Sequence, residues 1–212
     1  MSKKVVIIDY QLGNLFSVYQ ACLNEGIEAK TSSEKKTVEE ADALILPGVG
    51  AFGDAMLSLK KYDLIEPIRD FAASGRPLFG ICLGLQLLFS ESEEFGSFKG
   101  LDLVKGTVKK FPTSSKNRGK VLVPQIAWNQ IQEKKSWKTS PLQNLKNGEF
   151  MYFVHSYYVC PDTTAEILSQ TSYADVTYCS SISKNNIFAT QFHPEKSAKE
   201  GLKIYKNWIE KI

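Results

Sequence analysis

Apolar and polar positions along the chain follow two textures. In the first half, short continuous apolar runs alternate with stretches of helical spacing. KKVVIID begins with the β-branched run typical of a strand buried on both faces of a parallel sheet. In GNLFSVYQACLNEG, Leu15, Val18, Tyr19 and Cys22 share one helical face, and Gly26 stands where a helix stops. Cys22 is therefore expected in the core. IEAKTS predicts a second strand, and ADALILPGVG a third apolar run that ends in a glycine turn. YDLIEPIRDFAASG predicts a helix, with Pro67 at a break or in its first turn. RPLFGIC is a further apolar run and LGLQLLFSES a further helix.

This order of strand and helix, up to about residue 95, predicts a doubly wound α/β sheet with right-handed crossovers. Ligands in such sheets bind beyond the carboxyl ends of the strands. PGVG and GICLG both fall at such ends, which places them on one rim.

After residue 100 the pattern alternates and is rich in β-branched and aromatic residues. LDLVKGTVKKF, VLVPQIAWNQI, EFMYFVHSYYV, AEILSQTSY, DVTYCSSIS and NIFATQFH read as antiparallel or mixed strands. TSSKNRGK, residues 113–120, reads as an exposed loop. SAKEGLKIYKNWIEKI reads as an amphipathic helix with Leu202, Tyr205, Trp208 and Ile209 inward. The fold class expected is α/β: a mostly parallel doubly wound sheet with an antiparallel extension, flanked by helices. Without repeats, low-complexity segments or a linker, residues 1–212 are expected to form a single domain.

Composition narrows the function classes. With 43% hydrophobic and 23% charged residues, the 212-residue chain is an ordinary globular protein long enough to bury a substantial core. A net charge of +3 with scattered lysines gives no footprint for nucleic acid. The N-terminal apolar run is too short for a signal peptide, and no stretch reaches transmembrane length. Cys22, Cys82, Cys160 and Cys179 form no CxxC pair and have no metal-ligand spacing with the two histidines. Free thiols in a reducing cytoplasm, with no metal and no cofactor, are the expectation.

The candidate chemistry starts at Cys82. A thiol at a strand-to-helix turn meets free N–H groups that favour a thiolate, and Gly80 and Gly84 let the chain turn sharply. The arrangement matches a nucleophile elbow with cysteine in place of serine. Equally, a buried cysteine serves as a small hydrophobe. A nucleophile needs a base, and only His155 and His193 are available. QFHPEKS puts His193 at a strand end, with Glu195 two residues on to orient its ring. His155 alternates within an aromatic strand and reads as structural or pocket-lining. PGVG offers backbone N–H groups for an oxyanion.

Taken in order, PGVG, GICLGLQLL and QFHPEKS resemble a class I glutamine amidotransferase of the Cys-His-Glu type. DYQLGN, LILPGVGAFGDAM, ESEEFGSFKGL, AWN, YFVHSY and FHPEKS are similar to one branch, the glutaminase subunit of imidazole glycerol phosphate synthase. The resemblance runs over essentially the whole chain. It implies that Cys82 attacks the side-chain amide of L-glutamine, that His193 shuttles the proton and that Glu195 orients His193. It further implies an oxyanion hole at Val49, Gly50 and Leu83, and glutamine contacts at Gln86, Glu94, Ser156 and Tyr157. Ammonia would pass to a (β/α)₈-barrel cyclase subunit in a heterodimer, with Asn14, Gln125, Trp128, Tyr152 and Lys196 near the interface and the passage. A glutaminase with no acceptor of its own is expected to be weak alone, its PGVG turn imperfectly formed until the partner binds.

Two segments depart from the family's pattern. PQIAWN has Gln125 where histidine is expected and Ala127 where glycine is expected, and DYQLGN has Gln11 for glycine. They leave open a paralogous glutaminase feeding another acceptor, such as a sugar-amidation system of surface-polysaccharide synthesis. A reading of another class, a non-catalytic or redox-sensing member of the same superfamily with Cys82 as a sensor thiol, has no use for the His193-Pro194-Glu195 string.

Overall fold

Even and odd residues of the first strand face opposite helical layers, and that alternation organises the molecule. The structure is a computed structural model that describes residues 3–115 and 119–211. In order, β1 (Val5–Ile8), α1 (Leu15–Asn24), β2 (Ala29–Ser32), α2 (Lys35–Glu39), β3 (Ala43–Leu46), α3 (Phe52–Lys61), α4 (Ile65–Ala73), β4 (Leu78–Ile81) and α5 (Leu83–Leu87) form the first half. The second half comprises β5 (Phe89–Ser92), β6 (Phe98–Lys99), β7 (Val104–Lys110), β8 (Ser114–Ser115), β9 (Gly119–Lys120), β10 (Gln125–Glu133), β11 (Glu149–His155), β12 (Tyr157–Pro161), β13 (Ile167–Tyr173), β14 (Val176–Lys184), β15 (Ile187–Thr190) and α6 (Ala198–Ile209).

Five strands run parallel in the order β2-β1-β3-β4-β15. β14 then pairs antiparallel with β15, and β12, β7, β5 and β6 continue the sheet. A ribbon of β10 and β11 joins through β13. Val6, Ile8, Leu44 and Leu46 pack with α2 to α5, while Val5, Ile7, Ala43 and Ile45 pack with α1 and α6. Strands buried on both faces explain the unbroken apolar runs in the sequence. The expected sheet with its antiparallel extension is the one found.

Two local expectations need correction. The helix expected over LGLQLLFSES ends at Leu87, and Phe89–Ser92 is β5. The carbonyls a longer helix would have used are taken by another segment: Leu101 N–H donates to Leu87 O at 2.8 Å, and Leu103 N–H to Leu88 O at 2.9 Å. Of the loop expected over 113–120, residues 116–118 lie outside the described residues, while its flanks β8 and β9 pair antiparallel. Sequence reading also passed over α2 and α3, although Phe52, Ala55 and Leu59 of α3 have helical spacing and are fully buried. Pro67 lies in the first turn of α4, where its missing N–H costs nothing.

Candidate active site

Parallel pairing of β3, β4 and β15 brings three turns to one rim: Pro47–Gly50 after β3, Cys82 after β4, and Gln191–His193 after β15. Cys82 holds φ 56° and ψ −107°, a left-handed backbone that a non-glycine residue occupies only under constraint. Its N–H donates to Thr190 O at 2.7 Å, so the end of β15 holds the elbow. Gly84 lets α5 cross the end of β3, since a Cβ there would stand 1.8 Å from Leu46 O. The sulfur is almost wholly enclosed and receives a hydrogen bond from Gln191 Nε2 at 3.8 Å.

His193 follows two residues after Gln191. Its N–H donates to Tyr152 O at 3.0 Å, and its carbonyl accepts from Ser197 Oγ at 2.6 Å. Pro194 opens a 3₁₀ turn, Pro194–Lys196, that returns Glu195 beneath the ring. His193 Nδ1 and Glu195 Oε1 are 2.7 Å apart, with both side chains buried. Burial opposes a charge on this ring. The nearby Cys82 and the Glu195 carboxylate outweigh it and push the proton affinity up to about 10. Nδ1–H therefore donates to Glu195, and the other ring nitrogen is left for Cys82, whose charge and hydrogen bond are the largest effects raising the ring.

A cavity of about 270 Å³ opens over these groups and is lined by Cys82, His193, Val49, Gly50, Leu83, Gln86, Glu94, Ser156 and Tyr157. Hollows of about 390 and 480 Å³ elsewhere contain no histidine or cysteine, so volume alone does not locate the chemistry. Gln86 is buried and donates to Tyr157 O at 3.0 Å and to Gln191 Oε1 at 3.2 Å. Glu94 Oε2 accepts from Phe52 N at 2.6 Å. Burial raises its carboxyl above the usual range, with Phe52 N–H opposing the rise. Burial and the Glu94 charge also raise Tyr157.

The turn expected to hold an oxyanion points one of its N–H groups elsewhere in this conformation. Val49 N–H donates to Leu12 O at 3.1 Å and is not available to the cavity. Leu83 N–H belongs to the first turn of α5, where no helical carbonyl takes it. Gly50 borders the cavity at φ 102°.

Gln125, expected near the interface and the passage, is 0% exposed and so does not itself present a docking surface. It sits on the inward side of β10 and receives a hydrogen bond from Tyr178 OH at 3.1 Å. Tyr178 OH also lies 3.3 Å from His155 Nε2, and His155 Nδ1 lies 2.8 Å from Tyr157 O. His155 is thus both a core residue and a wall of the cavity. Asn14 caps α1, accepting from Ser17 N at 3.3 Å, and does not line the cavity. Trp128 is 50% exposed, with its ring 6.1 Å from that of Tyr152 in an edge arrangement. Lys196 is exposed on the turn after Glu195.

Gln191 and Tyr10 were not singled out from the sequence. Gln191 stood inside the QFH string, and its place two residues before His193, at the end of the apolar run NIFAT, was the available signal. Tyr10 OH donates to Pro47 O at 2.7 Å and buttresses the glycine turn from below. Gln11 has φ 68°, which accounts for the family's glycine there, and its N–H donates to Asp9 Oδ1 at 2.9 Å.

The profile of the family described as "Glutamine amidotransferase class-I" matches residues 6–212. A protein of Syntrophotalea carbinolica named "Imidazole glycerol phosphate synthase subunit HisH" is 47% identical over 206 residues, covering 96% of this chain and 98% of its own. Proteins of the same name from Aquifex aeolicus and Lactococcus lactis are 46% and 44% identical, covering 98% and 99% of this chain and 97% and 100% of their own. Among solved structures, PurLQS from Thermotoga maritima superposes with TM-score 0.75 at 16% identity over 99% of both chains. A structure described as a glutamine amidotransferase gives 0.72 at 20% identity over 97% of both. At such identities the structural likeness speaks for the fold.

Proposed function

This chain belongs to the class I glutamine amidotransferases, and from that membership we propose that it is the glutamine-hydrolysing subunit of an imidazole glycerol phosphate synthase, acting in histidine biosynthesis. The relatives' shared name over nearly the full length carries this reading. The reaction releases ammonia and glutamate from L-glutamine.

In the proposed mechanism, glutamine enters the cavity with its amide over Cys82 and its α-substituents toward Glu94, Ser156 and Tyr157. The Cys82 thiolate attacks the γ-carbonyl carbon. His193, protonated at neutral pH and held by Glu195, gives its Nε2 proton to the departing nitrogen. Ammonia leaves and a γ-glutamyl thioester remains. Water then attacks the thioester while the neutral imidazole takes its proton, which gives glutamate and restores the thiolate. What supports these roles is the 2.7 Å His193–Glu195 contact beside an enclosed sulfur on a constrained elbow.

The ammonia is proposed to pass to a (β/α)₈-barrel cyclase subunit that docks as a heterodimer in the cytoplasm. Exposed Ile126, Trp128 and Phe150 on the outer face of the β10–β11 ribbon support docking there, because Val154 of the same face lines the cavity. Docking would displace the 10–14 loop and release Val49 N–H from Leu12 O to serve the oxyanion. Gln125 bears on this differently than its sequence position implied. Its difference from the family's pattern is a core difference and gives no ground for another acceptor.

The test is glutamine hydrolysis by the chain alone and with a histidine-pathway cyclase and its phosphoribulosyl ribotide. The expected result is low turnover alone and stimulation by orders of magnitude in the complex. Absence of stimulation would exclude the histidine pathway, and full activity of the lone chain would exclude the gated oxyanion turn.

A further inference from the structure

The helix α6 rests directly on the turn that carries Glu195. Gly201 makes that approach possible: a Cβ there would stand 2.2 Å from Pro194 O and 2.6 Å from Ser197 Cβ. Four residues on, along the same helical face, lies Tyr205, which is 0% exposed. Its ring is fixed against Phe79, with centroids 5.5 Å apart, so the direction of its hydroxyl is fixed too.

Two buried polar groups face each other in this interface, the Tyr205 hydroxyl and the Glu195 carboxylate, and among the described residues neither the hydroxyl nor Glu195 Oε2 has another hydrogen-bond partner. One is a donor and the other an acceptor. Glu195 Oε1 is already committed to His193 Nδ1 at 2.7 Å. A buried carboxylate oxygen and a buried hydroxyl are each costlier unpaired than paired. Burial first, and then the Glu195 charge, hold the Tyr205 hydroxyl firmly in its protonated, donating form. Without that contact the last torsion of the Glu195 side chain would be soft, since such terminal torsions have broad minima.

We infer that Tyr205 is a positioning residue of the hydrolytic site: its phenol O–H donates to Glu195 Oε2 and fixes the carboxylate plane in which Oε1 receives His193 Nδ1–H. The inference rests on the reading of Cys82, His193 and Glu195 as the triad. Tyr205 does not line the cavity, so it acts on proton transfer through Glu195 and leaves glutamine binding alone.

The test is Tyr205→Phe in the full chain, which removes one oxygen and keeps the ring. The expected result is a fall in kcat of roughly ten- to a hundredfold, with KM for glutamine unchanged and the melting temperature not raised. Unchanged turnover would overturn the inference, and with it a raised melting temperature would identify an unpaired hydroxyl in a merely packed ring. Glu195→Gln separates the two readings. If Glu195→Gln is impaired and Tyr205→Phe is not, the positioning role fails alone; if neither is impaired, the triad reading fails with it. Should Tyr205→Phe not fold, the hydroxyl proton of the wild-type residue gives a second readout by NMR. It is expected to exchange slowly and to shift in Glu195→Gln, and a proton indifferent to that change overturns the role.

Discussion

Cys82 occupies a backbone region closed to most side chains, and its surroundings over-determine it. Thr190 O takes its N–H, Gln191 Nε2 reaches its sulfur, and Gln86 in turn holds Gln191 Oε1. Strain of this kind persists where the rest of the structure offsets it, and it aims the sulfur into the cavity. Cys82→Ala is expected to lower glutamine hydrolysis by at least roughly a thousandfold, with the melting temperature nearly unchanged because the side chain makes only weak sulfur contacts. Turnover retained in that variant, measured as glutamate release, would remove Cys82 from the mechanism. A glutamine-analogue electrophile should correspondingly label Cys82 and not the buried Cys22 or Cys179, whose thiols burial pushes well up.

At the scale of elements, the site is a meeting of three strand ends with one short helix. The helix α5 has only five residues and is buried along its whole length, so its position is dictated by what it packs on. Gly84 is the point of closest approach, over Leu46 O. Gly84→Ala is therefore expected to destabilise the protein by about 3 kcal/mol or more, since backbone on both sides cannot yield. A denaturation midpoint equal to that of the wild type would show that α5 can shift at little cost. The ribbon of β10 and β11 is a second such element. Its inward side carries Gln125 and His155, and its outward side carries Ile126 and Trp128, so neighbouring residues in PQIAWN have unrelated jobs.

For the whole molecule, the two histidines make stability depend on pH in opposite directions. Burial among aromatic rings holds His155 down to about 4; the Tyr157 carbonyl opposes this and the charge of His193 adds to it. From pH 6.5 down to 4 the unfolded chain binds a proton that the folded chain refuses, so stability falls as pH drops through that window. His193 behaves the other way. Its folded value of about 10 lies above the ordinary 6.5, so its contribution is complete below pH 6.5 and is lost as pH rises through about 10. The melting temperature should peak between these windows. His155→Gln is expected to flatten the acid side and His193→Gln the alkaline side. A wild-type slope in either variant, followed by melting temperature against pH, would contradict the corresponding assignment.

The sequence by itself determined the order of strands and helices in the first half of the chain, the rim location of PGVG and GICLG, and which candidate side chains meet there. These are legible because apolar runs buried on both faces, glycines at tight turns and a His-Pro-Glu string are local signals. It did not determine that the helix after Cys82 stops at Leu87, since the 101–104 segment that takes its carbonyls is remote in sequence. Nor did it reveal that Gln125 points inward, because the phase of an alternating ribbon is set by what it packs on. The state of Val49 and the meeting of Tyr205 with Glu195 were likewise decided only in three dimensions. Leu12 and Val49, and Tyr205 and Glu195, come together through the packing of separate elements, and no local pattern encodes which buried donor faces which acceptor.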